Sequence, residues 1–358
     1  MPLPRLLHGR RTCALAAVGL LASASAAASQ SPVAPQAARL SSNPLITVAT
    51  SPSLGGNVNG PTVIRVPDWI ERPLGRYYMY FANHMGETIR LAYADDPAGP
   101  WIIHEPGVLD VSATAFYRPQ PDPEGPRADF YTHVASPEIL VDDENRRLVM
   151  WFHGWWTNGE RWPETLPEAR AWARERGYGQ LTQVAESADG LSFTVLPAIT
   201  RTSYLRVFGL DGSWYGVSRL GTLSRAEDPL EPFELGPSLF REGPFAGRVR
   251  HVGLRLTGRR LDMFFTAIGD APERVMVASV ALQGEWTTWR AGEAVEVLRP
   301  ETAYECVHLP AAPSESGDIA VPARQLRDPF VFEEDGRATL FYAACGEQAI
   351  AAAALGVR

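Results

Sequence analysis

The chain has 358 residues, 45% apolar and 21% charged, with 31 Gly, 30 Pro and a net charge of −8. This is a turn-rich globular composition, and its length suits one large all-β domain or two smaller ones. All 33 basic residues are arginine, which excludes Schiff-base, P-loop-lysine and Ser-Lys chemistry; the acidic balance, with no basic run past the N-terminus, argues against a nucleic-acid partner.

Arg5, Arg10 and Arg11 precede an apolar run, Cys13–Leu21, and a small-residue stretch, Ala22–Ala28. That order predicts a secretory signal over residues 1–28, and the Arg10-Arg11 pair also fits the twin-arginine route. The apolar run is too short for a membrane anchor. A periplasmic or secreted protein is therefore expected. Residues 29–44 are rich in Ala, Pro, Ser and Gln and are expected to be a disordered leader before a folded domain over 45–358. Cys306 and Cys345 are the only cysteines after the signal. They pair in an oxidising compartment or stay as free buried thiols.

A hairpin unit then recurs along the chain. Its first copy has β-prone runs at Pro61–Val66, Tyr77–Asn83, Ile89–Ala94 and Trp101–His104. The second has Ser136–Val141, Arg147–His153, Gln183–Ser187 and Ser192–Leu196. The third has Tyr204–Leu210, Ser213–Arg219, Gly221–Arg225 and Phe233–Leu235, and the fourth Arg250–Leu256, Arg260–Ile268, Arg274–Val280 and Trp286–Arg290. The fifth has Pro329–Glu333, Ala338–Ala344 and Ala349–Leu355. Asp211-Gly212, Thr257-Gly258 and Asp335-Gly336 are hairpin turn signals between first and second runs. Repeats of about 40 to 60 residues with four short strands are propeller blades. The expected fold is thus an all-β, five-bladed β-propeller, with two β-sandwich domains as the alternative. Leu45–Thr50 is placed to supply the outer strand that the fifth copy lacks. Pro163–Gly177 carries acids early, bases late and a final Gly, which predicts a short helical insertion in blade two. It covers the site or is a solvated decoration.

A propeller gathers the mouths of its inner strands around one axis. Those mouths carry Asn57 and Asn59, His133 and Glu138, Arg206, Arg250 and His251, and Arg327-Asp328, with Tyr304-Glu305-Cys306 on the loop before blade five.

Arg327-Asp328-Pro329-Phe330-Val331-Phe332 and Tyr304-Glu305-Cys306 resemble the Arg-Asp-Pro and Glu-Cys motifs of five-bladed propeller enzymes such as glycoside hydrolase family 32. Ala135-Ser136-Pro137-Glu138-Ile139, Tyr77-Tyr78-Met79-Tyr80-Phe81 and Gly99-Pro100-Trp101 resemble families 43 and 117. Two features depart from those families. Asn59-Gly60-Pro61 stands where an Asp usually precedes Pro in blade one, and the Glu-Cys motif comes before Arg-Asp-Pro.

The resemblance implies a glycoside hydrolase, which needs one protonated and one ionised carboxyl group. Glu305 is the candidate acid, its pKa expected to rise among Tyr304, Cys306 and Val307. Asp328 is the candidate base or charge stabiliser, unless Arg327 holds it in a structural ion pair. His133 is a further catalytic candidate, replacing or supporting the acid. Asn59, Glu138, His153, Arg206, His251 and Arg327 are candidate substrate-binding residues, and Trp155, Trp156 and Trp162 form a stacking wall or pack beneath the inserted helix. No cofactor is required, although a structural Ca²⁺ or Na⁺ on the axis is compatible with the fold. The partner implied is a carbohydrate substrate. A non-catalytic carbohydrate-binding propeller and a polysaccharide lyase remain alternatives.

Overall fold

Among the described residues, twenty-one strands make five antiparallel sheets. The computed structural model describes residues 35–84, 86–117, 132–160 and 166–356. The predicted signal over 1–28 and the first part of the leader lie outside the described residues. Blade one is β3 (Asn59–Arg65), β4 (Tyr77–Ala82), β5 (Thr88–Ala94) and β6 (Ile102–Asp110), and blade two is β7 (Ala135–Asp142), β8 (Arg147–Trp156), β9 (Gly179–Ser187) and β10 (Thr194–Thr200). Blade three is β11 (Arg206–Leu210), β12 (Ser213–Ser218), β13 (Thr222–Ala226) and β14 (Glu234–Ser238). Blade four is β15 (Val249–Thr257), β16 (Arg260–Ala267), β17 (Val275–Ala281) and β18 (Ala291–Leu298). The inner strands pack as a closed ring, β3 on β7, β7 on β11, β11 on β15, β15 on β19 (Leu326–Glu334) and β19 on β3.

Blade five adds β20 (Arg337–Ala344) and β21 (Ala349–Gly356) to β19, and the start of the folded chain closes it. Both β1 (Gln36–Arg39) and β2 (Ile46–Thr47) pair antiparallel with β21. The expected closing segment, residues 45–50, thus contributes only two paired residues. The stretch expected to be disordered contributes four more, from Gln36↔Gly356 to Arg39↔Ala353. An open sheet edge offers a row of backbone groups that a weak strand former will pair with when the chain brings it there.

The turn chemistry is local and legible. Asp211-Gly212 and Asp335-Gly336 both have positive φ at the two central positions (52° and 80°, 49° and 72°), the geometry that matches strand twist in a two-residue hairpin. One expectation fails at the edge of blade four. Trp286–Thr288 is a single 3-10 turn, and the outer strand is β18, further along. Trp286 and Trp289 are buried between blades three and four instead.

The core is divided among the blade interfaces. Separate buried clusters fill the spaces between blades one and two (Tyr80, Met150), two and three (Trp151, Phe233), three and four (Phe208, Phe265), four and five (Phe264, Leu340), and five and one (Phe341, Met79). Each large side chain so buried contributes about 1.5–3 kcal/mol. Helix α1 (Leu166–Arg176) lies between β8 and β9 and ends at Gly177, whose φ of 68° suits a helix C-terminus. Residues 163–165 of the predicted insertion lie outside the described residues. Trp172 and Ala173 of α1 pack with Trp155 and Tyr178.

Candidate active site at the propeller axis

Three inner strands open with one device. In Asn59-Gly60-Pro61, Ala135-Ser136-Pro137 and Arg327-Asp328-Pro329 the middle residue has φ of 59°, 47° and 49°, and the strand register slips across it. Proline has no N–H, so the bulge sacrifices no donor at that point. β15 slips likewise between Val249 and Val252, around Arg250 and His251. Tyr204, with φ of 60°, stands at the head of β11. Gly60 must be glycine, because a Cβ there would stand 2.8 Å from Ser136 Cα.

These heads, with the turns beside them, form one buried polar cluster. Asp328 Oδ1 and His251 Nδ1 are in direct polar contact, both almost fully buried. Burial raises the Asp328 pKa, but His251 outweighs it and holds the carboxyl below its ordinary range. Burial lowers His251, and Asp328 only partly offsets this. The ring of Tyr204 lies between His153 and His251, at 4.0 and 4.2 Å between centroids. Its Oη is 3.0 Å from His84 Nε2, and His84 Nδ1 is 3.1 Å from Glu347 Oε2. Burial would raise Glu347, yet His84, Arg327 and Asn57 together hold it well below the carboxylate range. Burial, then the neighbouring imidazoles of His133, His84 and His251, push His153 well below its usual value, so it is neutral. Four of the chain's seven histidines stand here.

Several polar atoms of this cluster have no hydrogen-bond partner among the described residues. They are Asp328 Oδ2, His251 Nε2, both nitrogens of His153, Ser136 Oγ and Asn59 Oδ1, all buried. An unmet buried polar group costs about 1–3 kcal/mol. Their concentration at one place marks where a polar ligand or water belongs.

The residues expected from the sequence divide into two groups. Asp328, His251, His153, His133 and Asn59 come together at the axis, His133 through a ring contact of 5.9 Å to His153 and Asn59 through Nδ2, 2.7 Å from His84 Nδ1. The others are occupied elsewhere. Arg206, expected to bind substrate, plugs the channel instead. It donates to Thr62 Oγ1 (2.7 Å) and the Pro61 carbonyl (3.5 Å) of blade one, and to the Pro137 carbonyl (2.8 Å) and Glu138 Oε2 (2.5 Å) of blade two. It also donates to the Val252 carbonyl of blade four (3.2 Å), and its guanidinium lies 5.5 Å from the ring centroid of Phe330 in blade five. Glu138 is therefore a partner of Arg206 rather than of a sugar. Arg327 is likewise committed, to Gln325 Oε1, Glu347 Oε1 (2.8 Å) and the Gly317 carbonyl. Arg250 is held by Glu273.

Glu305 corrects the expectation most sharply. Its carboxylate is fully buried and takes five hydrogen bonds: Arg39 Nε (2.8 Å) and Nη2 (2.9 Å), Tyr342 Oη (2.8 Å), and the N–H groups of Glu301 (2.7 Å) and Thr302 (3.0 Å). Burial raises its pKa, but these donors outweigh it and the net direction is down, not up. A carboxylate so held has no proton to give. It fastens β1 to the ring. Trp156 packs edge-to-face on Tyr178 at 5.3 Å, so Trp155 and Trp156 pack by the insertion; Trp162 lies outside the described residues.

His84, Tyr204 and Glu347 were not read from the sequence as site residues. The signal for Tyr204 was its place one strand-head along the repeat, in step with Gly60, Ser136 and Asp328. His84 and Glu347 sit in turns, where charge usually faces water. Among the described residues no three His, Cys, Asp or Glu side chains gather as metal ligands.

The fold is a five-bladed propeller of the kind found in family 43 glycoside hydrolases. A candidate glycoside hydrolase from Bacteroides ovatus is 11% identical with a TM-score of 0.59, covering 91% of this chain and 97% of that one. A family 43 β-xylosidase/α-arabinofuranosidase from a compost metagenome is 11% identical with a TM-score of 0.55, over 90% and 96%. An α-L-arabinofuranosidase from Lactobacillus brevis is 12% identical with a TM-score of 0.51, over 87% and 92%. At these identities the likeness is one of fold. In sequence, the chain is 35% identical over 322 residues to uncharacterized protein R118 of Acanthamoeba polyphaga mimivirus, covering 84% of this chain and 83% of that protein. It belongs to the same family as that protein. No protein-family model matches the chain.

Proposed function

We propose that this protein is an exported glycoside hydrolase that cleaves glycosidic bonds in oligosaccharides or polysaccharide fragments at the axial site. The observation that carries this reading is Asp328. It is an ionised carboxylate at the mouth of an inner strand, one oxygen paired with His251 and the other without a partner among the described residues. That is the state a base needs to take a proton from water attacking an anomeric carbon. The fold, shared with arabinose- and xylose-releasing enzymes, supports the substrate class. A lyase would need an arginine to neutralise a uronate, and the three arginines at the strand mouths, Arg206, Arg250 and Arg327, are each bound to an internal carboxylate. Export is supported by the arginine-led apolar N-terminus and by the Cys306–Cys345 disulfide, which suits an oxidising compartment.

The test is turnover of arabino-, xylo- and galacto-oligosaccharides by the purified protein. The expected products are saturated sugars with a new reducing end. Asp328→Asn should lower kcat by about 10²–10⁴-fold while sugar affinity stays within a few-fold. An unsaturated, ultraviolet-absorbing product, sugar binding without turnover, or wild-type rates in Asp328→Asn would overturn the reading.

A further inference from the structure

We propose that Glu347, His84 and Tyr204 form a proton relay in which Tyr204 Oη is the catalytic acid, delivering a proton to the departing sugar oxygen. The inference rests on the glycosidase reading and names the acid that reading lacks, since Glu305 is held as an anion by Arg39.

The geometry is continuous. Arg327 Nη1 grips Glu347 Oε1 at 2.8 Å, and Asn57 Nδ2 donates to Oε2. Oε2 faces His84 Nδ1 at 3.1 Å, with Asn59 Nδ2 against both. The Asn57 Oδ1 atom accepts the His84 backbone N–H at 3.1 Å, fixing the ring from behind. His84 Nε2 then reaches Tyr204 Oη at 3.0 Å. The phenol itself is wedged between His153 and His251, so it bridges the Glu347–His84 pair to the His251–Asp328 pair. At 8% exposure Tyr204 is the most open member, whereas Glu347 is fully buried and Asp328 is 1% exposed.

Charge supports the direction of transfer. Burial lowers the His84 pKa, but Glu347 chiefly, with Asp328 and Asp318, raises it above its ordinary value. His153 and His251 face it from β8 and β15, the pKa of each itself lowered, chiefly by burial. Burial, then Asp328 and Glu347, keep Tyr204 protonated; Arg219 and Arg250 oppose this weakly. His84 as imidazolium donates Nδ1–H to Glu347, with Asn59 turning its amide oxygen rather than its NH2 towards that N–H, and Nε2–H to the Tyr204 oxygen, which leaves the phenolic proton aimed onward. As the bond between the anomeric carbon and the leaving oxygen breaks, its electron pair stays on that oxygen, which takes the Tyr204 proton. Tyr204 takes the Nε2 proton of His84. Water attacks the anomeric carbon and gives its proton to Asp328. Solvent then returns one proton to His84 and removes one from Asp328.

A leaving-group comparison tests the relay separately from the hydrolase reading. An alkyl leaving group needs an acid; a dinitrophenyl group does not. Tyr204→Phe should slow an unmodified oligosaccharide about 10²–10⁴-fold yet keep most of its rate on the dinitrophenyl glycoside, whereas Asp328→Asn should slow both. Glu347→Gln should move the alkaline limb of kcat/KM to lower pH, because His84 loses the charge that holds its proton. Equal rates for Tyr204→Phe and wild type on the oligosaccharide, equal losses on both substrates, or an unmoved limb in Glu347→Gln would overturn the relay alone. A wild-type protein inert on both substrates would overturn the hydrolase reading and the relay with it.

Discussion

Two carboxylate–imidazole pairs meet at Tyr204, and their imidazoles shift in opposite directions. Burial lowers both; at His84 it is outweighed by Glu347, then Asp328 and Asp318, while at His251 Asp328 only partly offsets it. Residue identity alone does not set the role; the balance of burial against the neighbouring charges does. The same rule governs Arg206, whose guanidinium reaches all five blades and whose carboxylate partner among the described residues is Glu138. Burial raises Glu138 even with that partner. Arg206→Met should cost about 3–5 kcal/mol in urea denaturation, because it leaves Glu138 buried and uncompensated. The cost should shrink as pH falls and Glu138 takes a proton. Arg206→Met with Glu138→Gln should recover most of it. A loss below about 1 kcal/mol for the single variant would show that the plug carries little stability.

At the scale of elements, β1 depends on one buried contact. Gln-Ala-Ala-Arg has little strand preference, and it stays on β21 through four paired residues and the Arg39–Glu305 fork. Glu305 has its folded pKa below its unfolded one, so its contribution is full above the unfolded value and is lost as pH falls through the folded value. Glu305→Gln should therefore lower stability at neutral pH and flatten the acid limb of the stability profile; an acid limb as steep as wild type would refute the assignment. This contact was not legible beforehand, since its partners stand 266 residues apart. What was legible had local causes. Asp-Gly turns and alternating apolar runs gave the blades, and X-Pro at strand heads gave Asn59 and Asp328. The outer strand of blade four was misplaced because Trp286 and Trp289 mimic a strand while packing as a corner, and β18 opens on Ala-Gly-Glu and buries only its last residue.

At the scale of the whole propeller, the ring closes through segments from both ends of the folded chain, β1 and β2 against β21. The sequence indicates that some early strand must close blade five, but not which, because the demand comes from an edge completed last. A second closure lies nearby. Cys306 and Cys345 are disulfide-bonded across 39 residues, tying the turn that carries Glu305 to the end of β20. Glu347 is two residues further on, so the same bond steadies the turn that positions His84. Chain entropy for a loop of that length predicts a contribution of about 4 kcal/mol, and measured values for such bonds run at about 2–4. Replacing both cysteines by serine should lower the unfolding free energy by about that much, read from denaturant midpoints at constant m. The alkaline limb of activity should also soften, because Glu347 would hold His84 less firmly. If the midpoint and the limb both stay where they are in wild type, the disulfide steadies neither the ring nor the turn that carries Glu347.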